Sequence, residues 1–416
     1  MLSLLKQRSF VLIWLGQCGF GLGSTFAAFV VSWVLYDITG SEAAMGGVWF
    51  VFFLTSTLSF LIAGPYIDKY EHKKVLVFSE WGRATIFLSI ALAFHFNILE
   101  IWMLYVGAMM IGIVEPVYRP ASMAYIAKVV PKENLLKANS VLDGTTQLMN
   151  LIGPLLSGLL IGLVGADALL TGLVCILGIT GGLLCLLPRT SLDRNKSEEQ
   201  SWLEDFKEGL NFYRITPILL WMGLLVMWIN FSFGAFQSMV FPYVLDHLNG
   251  DAFRVGLFNT MLALGMLGGA IWLGASKDPK KLRNVMIGAV ILQGVFLVSL
   301  GWITNYWFAL IAIAIIGITL ITFNANNATL YQKKVPKHLQ GRVFTLRMLF
   351  AQSGLPVGAG IGGLFAEVWG FTVLFSILGL SILIISLIAW NLPIFKELNK
   401  LNNEEQPKTE PYQKHS

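Results

Sequence analysis

Gly64-Pro65-Tyr66-Ile67-Asp68-Lys69-Tyr70-Glu71-His72-Lys73-Lys74 is a short charged stretch between two long apolar runs, residues 44–67 and 75–96. About 20 apolar residues in helical form cross the hydrocarbon core of a bilayer. Two such runs joined by a few basic residues read as a hairpin of spanning helices, with its turn at a membrane face. Lysine and arginine mark that face as cytoplasmic.

The same pattern extends in both directions. Twelve apolar runs occur, at residues 10–36, 44–67, 75–96, 101–127, 138–164, 167–187, 217–245, 253–275, 285–302, 306–331, 343–366 and 371–392. None alternates at period two, which argues against an outer-membrane barrel. Backbone groups in lipid must be satisfied within the segment, so the runs are expected to be helices. The first run is too long for the apolar core of a signal peptide and is expected to stay as the first span. With the N-terminus inside, all but four of the 29 lysines and arginines fall on the inner side. Arg83, Arg119 and Arg347 lie within runs, and Arg254 lies at an outer end. An odd helix count would destroy this asymmetry. Twelve helices with both termini cytoplasmic are therefore expected, in a bacterial inner membrane.

Composition agrees. Of 416 residues, 56% are hydrophobic and 13% charged, against about 25% charged in a soluble domain. The mean hydropathy is +0.69. The three cysteines, Cys18, Cys175 and Cys185, all sit in apolar runs, so a disulfide scaffold is excluded. The net charge of +5 belongs to the inner loops and does not point to nucleic acid.

The chain also divides in two. Residues 1–187 are read as an N-terminal six-helix bundle, 188–216 as a cytoplasmic linker, 217–395 as a second six-helix bundle and 396–416 as a cytoplasmic tail. In the linker, Trp202, Phe206, Leu210 and Tyr213 recur at helical spacing, so an amphipathic helix is expected, lying on the membrane face or serving as filler. Val130-Pro131-Lys132 closes the fourth run and Val335-Pro336-Lys337 the tenth, 205 residues apart, and each precedes a Gly/Pro-bearing run with Gly153-Pro154 or Leu355-Pro356. The spacing points to a duplicated six-helix unit.

The opening stretch now gains meaning. Gly64, Asp68, Lys69, Lys73 and Lys74 resemble the loop motif G-x-x-x-D-R-x-G-R-R of the major facilitator superfamily. Lys69 stands for the first Arg, Glu71 for the second Gly and His72 for a usual base. The second-half equivalent, 274–281, is degenerate. Trp14-Leu15-Gly16-Gln17, residues 35–41, Pro131 to Leu135 with Ala138-Asn139-Ser140, and Pro336 with Gly341-Arg342-Val343 resemble, in their order, the third drug:proton antiporter family, which includes macrolide-efflux and enterobactin-export proteins. Gly144, Gly153, Pro154 and Gly158 match part of the superfamily's antiporter motif, and fit helix packing equally well. The resemblance implies an all-α membrane fold of two six-helix bundles, a cavity lined by helices 1, 4, 7 and 10, and a cytoplasmic gate built on Asp68.

Candidate residues follow from cost. A charge at the bilayer centre costs about 2.5–3.5 kcal/mol on insertion scales, so it faces protein or water. Glu115 lies mid-run, with Arg119 four residues on and able to pair with it on one helix face. Glu115, Arg119 and Asp143 are the candidates for proton coupling; a static Glu115–Arg119 pair in a proline-broken helix is the other reading. Gln17, Ser24, Tyr118, Asn230, Gln237, Asn324 and Asn327 are the candidates for the substrate cavity, Asn324 and Asn327 sharing a face. Glu80, Arg83, Asp143 and Arg347 are read mainly as gate ion pairs around Asp68. No nucleotide-binding glycine loop, catalytic triad, metal site or cofactor motif is found. The expected function is proton-coupled export of a drug-like or amphipathic small molecule by a monomeric secondary transporter, not an enzyme. Transport of a lysophospholipid, a siderophore or a peptide antibiotic, and a non-transporting membrane receptor or scaffold, are the rival readings. A channel is disfavoured because no repeated filter ring occurs.

Overall fold

In a computed structural model, the described residues are 4, 6–67, 70–189, 202–276, 279 and 281–399. Among them no strand occurs. The main helices are α1 (Arg8–Thr39), α2 (Glu42–Ile67), α3 (His72–His95), α4 (Ile101–Val129), α5 (Leu135–Cys185), α6 (Trp202–Ile215), α7 (Pro217–Ser238), α8 (Ala252–Ala275), α9 (Leu282–Trp302), α10 (Tyr306–Lys334) and α11 (Gln340–Asn391). Helix ends are closed locally. Gly40, at φ 57°, donates its N–H to the Tyr36 carbonyl. Asn305 Oδ1 accepts from the Trp307 N–H at 3.0 Å.

Ten of these helices are long and apolar enough to cross a membrane. Two are double length. A straight helix of 51 or 52 residues would run roughly 77 Å at 1.5 Å per residue, far beyond a hydrocarbon core of about 30 Å. Each is broken once, α5 at Gly165 (φ 86°, ψ 172°) and α11 at Gly370 (φ 73°, ψ 172°). These are backbone conformations that side chains disfavour, and glycine adopts them freely. Both long helices are hairpins, because one stretch of a neighbour touches both arms. On α1, Trp14 Nε1 donates to Thr145 Oγ1 at 2.9 Å, while a Cβ on Gly16 would stand 2.7 Å from Leu184. On α7, Trp228 Nε1 donates to Ser381 Oγ at 3.1 Å, while the neighbouring Met227 carbonyl approaches Gly354. The fifth and sixth runs of the sequence, like the eleventh and twelfth, are thus joined by a single glycine and not by a loop.

The repeat is structural as well as sequential. Val130 and Val335 cap α4 and α10 with similar angles (φ −105°, ψ 133° and φ −92°, ψ 122°). One-turn helices follow at Lys132–Asn134 and Lys337–Leu339, then α5 and α11 start at 135 and 340. The kinks at 165 and 370 keep the same separation, 370 − 165 = 205.

Between the two sets of helices, α2 packs on α11 and α5 on α8. The bridges that we identify between the two sets of helices lie at the end away from the lysine-rich loops, or at mid-depth. Tyr36 donates its hydroxyl to Asp246. Ser41 Oγ and the Ala43 N–H both donate to Glu367 Oε2 at 2.8 Å. Phe29 meets Phe241 edge-on at 4.8 Å. Thr260 Oγ1 donates to the Leu151 carbonyl at 3.0 Å.

The amphipathic helix α6 exists, but its described apolar side faces protein. Tyr213 is fully buried and donates to the Tyr331 hydroxyl at 3.1 Å, which donates in turn to the Leu219 carbonyl at 3.2 Å. Glu208 pairs with Arg342 of α11. The helix is therefore anchored on the second half. Tyr213→Phe removes one buried hydrogen bond and should lower stability by about 1 kcal/mol, read as a fall in the thermal unfolding temperature in detergent.

Candidate functional site

Helix α4 sets the site. Pro116 and Pro120 lie inside it; each lacks an N–H, so the carbonyls at 112 and 116 lose their helical partners. Glu115 stands at mid-helix and is exposed. Arg119 and, on α10, Asn324 are exposed too. Charged groups at membrane depth face protein or water, so these exposures mark a wet cleft between the halves.

Arg119 does not pair with Glu115, contrary to the i, i+4 expectation. Its Nη2 donates to Asp143 Oδ1 of α5 at 2.9 Å. A long guanidinium reaches across to a neighbouring helix as easily as along its own, and Asp143 presents an oxygen there. The two side chains are 61% and 49% exposed, so the pair contributes at most about 1 kcal/mol. Around it lie Gln17, Ser122, Asn139 and Thr146. Gln17 is buried and donates from Nε2 to Thr146 Oγ1 at 3.0 Å. Three sequence candidates, Gln17, Arg119 and Asp143, therefore come together, with Asn139 and Ser122 as additions.

A second cluster lies behind Glu115. Arg83 is fully buried and pairs with fully buried Glu80 at 3.3 Å. Its Nη2 donates to Ser24 Oγ at 3.2 Å, and its guanidinium lies 4.8 Å above the Phe20 ring. Phe20 stacks on Tyr118 at 3.7 Å. Tyr118, expected in the cavity wall, is completely buried beneath that ring. Glu80 Oε2, Arg83 Nε and the Tyr118 hydroxyl have no hydrogen-bond partner. The gate reading of Glu80 and Arg83 is wrong. Arg83 is 11 residues into α3, about 16 Å along it, which is mid-depth and not a membrane boundary. The i, i+3 spacing of Glu80 and Arg83 inside an apolar run was the available signal.

The second half is uncharged here. Displaced by 205 residues, Glu115 corresponds to Leu320, Tyr118 to Phe323, Arg119 to Asn324 and Ser122 to Asn327. Asn324 is exposed but Asn327 is buried, so the two do not present one open face. Asn326 is buried as well and donates to the Thr322 carbonyl at 2.7 Å. Asn230 and Gln237 on α7 are half-buried. Arg347 lies over the rings of Tyr331 (5.1 Å) and Phe344 (5.7 Å). Of the loop motif, Gly64 is in α2 and Lys74 contacts Glu71 at 3.6 Å. Lys73 is half-buried at the start of α3. Asp68 and Lys69 lie outside the described residues.

Comparison with known proteins agrees with the fold. Residues 13–359 match the family model described as Major Facilitator Superfamily. The chain is 22% identical over 403 residues to macrolide efflux protein A of Streptococcus pyogenes, covering 95% of this chain and 98% of the relative. It is 25% identical over 388 residues to multidrug efflux pump Tap of Mycolicibacterium fortuitum, covering 92% and 94%. In structure it resembles a variant of the nucleoside transporter NupG (TM-score 0.72, 12% identity, covering 94% and 99%). It also resembles a bacterial homologue of the human lysosomal transporter Spinster in an inward-facing, unoccupied conformation (TM-score 0.71, 14% identity, 95% and 98%).

Proposed function

This chain belongs to the Major Facilitator Superfamily, a membrane transporter and not an enzyme, and from that premise we propose that it exports a drug-like or amphipathic small molecule in exchange for protons. One observation carries the coupling: Glu115, a carboxylate midway along α4, is exposed to the cleft. The macrolide and multidrug efflux relatives support the direction and the substrate class. We take residues 1–187 and 217–395 as the rocking units and the lysine-rich end as cytoplasmic, in a bacterial inner membrane, with the chain acting as a monomer. The bridges at Tyr36, Ser41 and Glu367 then close the outer face, and the cleft is open inward. Rocking exposes Glu115 to the other side. Each closure exchanges water around the carboxylate for protein, and that change of surroundings alters its hold on a proton. Gln17, Ser24, Asn230, Gln237 and Asn324 are the polar groups offered to substrate, and Arg119–Asp143 lies at the cleft's inner mouth.

The test is energised efflux of a drug and dye panel from a pump-deficient bacterial host. Wild-type efflux should stop when an uncoupler is added, and Glu115→Gln should lose at least nine-tenths of it, about a tenfold change worth some 1.4 kcal/mol. Full uncoupler-sensitive efflux in Glu115→Gln would remove Glu115 from coupling and pass the role to Asp143. A panel with no exported member would overturn the substrate class.

A further inference from the structure

On the outer side of the first half, α3 and α4 part to leave a groove of about 490 Å³, inside the range of roughly 300–1,000 Å³ typical of small-molecule sites. Among the described residues its walls are Val75 and Ser79 of α3 with Met110, Ile113, Val114 and Val117 of α4. It does not belong to the cleft. Ile113 and Val117 each stand two positions from Glu115, about 200° around a helix of 3.6 residues per turn, so the groove opens on the opposite side of α4. It opens beside Phe78, which is 80% exposed and heads an apolar stripe on α3 continued by Trp81, Leu88 and Leu92. On a spanning helix such a face meets lipid chains. The deep end is closed where the two helices meet: a Cβ on Gly82 would lie 3.7 Å from Met110 Cε. From Lys74 to Gly82 is about 12 Å along α3, close to the depth of one leaflet, half of a core about 30 Å thick.

The mouth of the groove is polar. Tyr70 and Lys74 line it, at the level of the lysine-rich loops. Both side-chain types favour the membrane interface, with an apolar body inward and a polar tip outward. Lys74 is 77% exposed, whereas Glu71, 3.6 Å away, is only 12% exposed. The groove therefore presents the ammonium and not the carboxylate to an arriving molecule, and an ammonium has three donors to share. The apolar walls give water few partners. The arrangement suits hydrocarbon beneath an anion.

We propose that this groove holds one phospholipid of the leaflet on the lysine-rich side, with an acyl chain between α3 and α4 and an anionic phosphate headgroup at Lys74. The inference is independent of Glu115 and of proton coupling. The chain supplies contacts that the two helices do not make with each other there, and Lys74 selects for a net negative headgroup. Basic pockets between spanning helices recognise anionic lipids in this way.

The experiment uses purified full-length protein, delipidated in detergent and titrated with phosphatidylglycerol or with phosphatidylcholine of the same chains. Native mass spectrometry counts the lipid retained. A phosphatidylglycerol with a photo-activated diazirine in its chain marks where that chain lies. Wild type should retain one phosphatidylglycerol in preference to phosphatidylcholine, with the label on residues 110–117. Lys74→Gln should weaken phosphatidylglycerol about fivefold, the effect of one lysine beside anionic lipid, and leave phosphatidylcholine unchanged. Val117→Trp fills the groove and should abolish retention of both, while the unfolding temperature without lipid stays near wild type. If Val117→Trp fails to fold, Ile113→Trp, at an exposed position of the groove wall, makes the same test. Lys334→Gln, in the last turn of α10, should leave retention unchanged. Equal retention of the two lipids by wild type, undiminished retention in the tryptophan variants, or a label confined to other helices would overturn the proposal. So would displacement of the lipid by an exported compound of the efflux panel, which would give the groove to substrate.

Discussion

Arg83→Leu is expected to destabilise the protein by about 3–5 kcal/mol, the cost of stranding a buried charge. The residue is fully enclosed and is the partner of an equally enclosed Glu80. Its removal leaves Glu80 with neither oxygen bonded. Glu80→Gln is milder, because Arg83 keeps Ser24 and the Phe20 face. Leucine at both positions should recover much of the loss, since a well-packed apolar pair often replaces a buried ion pair at little cost. Thermal unfolding in detergent orders the four proteins: wild type and double leucine variant high, Glu80→Gln intermediate, Arg83→Leu lowest. An Arg83→Leu protein as stable as wild type would mean that water reaches Glu80.

Gly363→Leu should break the seal at the end of the cleft away from the lysines. A Cβ at this position would lie 2.6 Å from the Glu42 carbonyl oxygen and 2.7 Å from Gly46 Cα, both backbone atoms of α2. Backbone cannot swing aside as a side chain does, so the seam must part. The second seam is built alike: a Cβ on Gly158 would lie 2.3 Å from the Ala252 carbonyl oxygen, and one on Gly256 2.4 Å from the Pro154 carbonyl oxygen. Overpacking typically costs about 1–3 kcal/mol, which against the sealed state alone is about a 5- to 150-fold shift in population. With Cys18, Cys175 and Cys185 replaced by serine, a cysteine at Ala43 should react with a maleimide faster by that factor in Gly363→Leu. Gly162→Leu, which faces open space, should leave the rate unchanged. Equal rates in all three proteins would mean that this seam does not hold the halves together. Efflux by Gly363→Leu should fall in parallel, because alternating access needs both ends to close.

The helices themselves were legible in the sequence. Hydrophobic length is a property of each segment alone, so the apolar runs and the repeat at 131 and 336 needed no knowledge of neighbours. The loop at 64–74 sufficed to suggest the family. Glu115 was found by the cost of its charge, which also depends on depth alone. Partners were not legible. The i, i+4 rule offered Arg119 to Glu115, yet Asp143, on another helix, takes it. The i, i+3 spacing of Glu80 and Arg83 fits the pair they form, but their depth was misjudged, and Ser24, Phe20 and Tyr118 complete the cluster only because α1 and α4 close on α3. Asn324 and Asn327 were equivalent in spacing and became unequal when one face of α10 was covered. The linker helix showed an apolar stripe, and nothing in the stripe chose protein over membrane.

Sequence alone therefore determined that this chain crosses a membrane many times in two related halves, because desolvation acts on every residue locally. Tertiary structure decided which carboxylate meets which cation, which polar groups stay wet and where the halves touch. Those outcomes depend on distances between helices far apart in the chain, and a few ångströms between side chains fix an interaction that no spacing along one helix encodes.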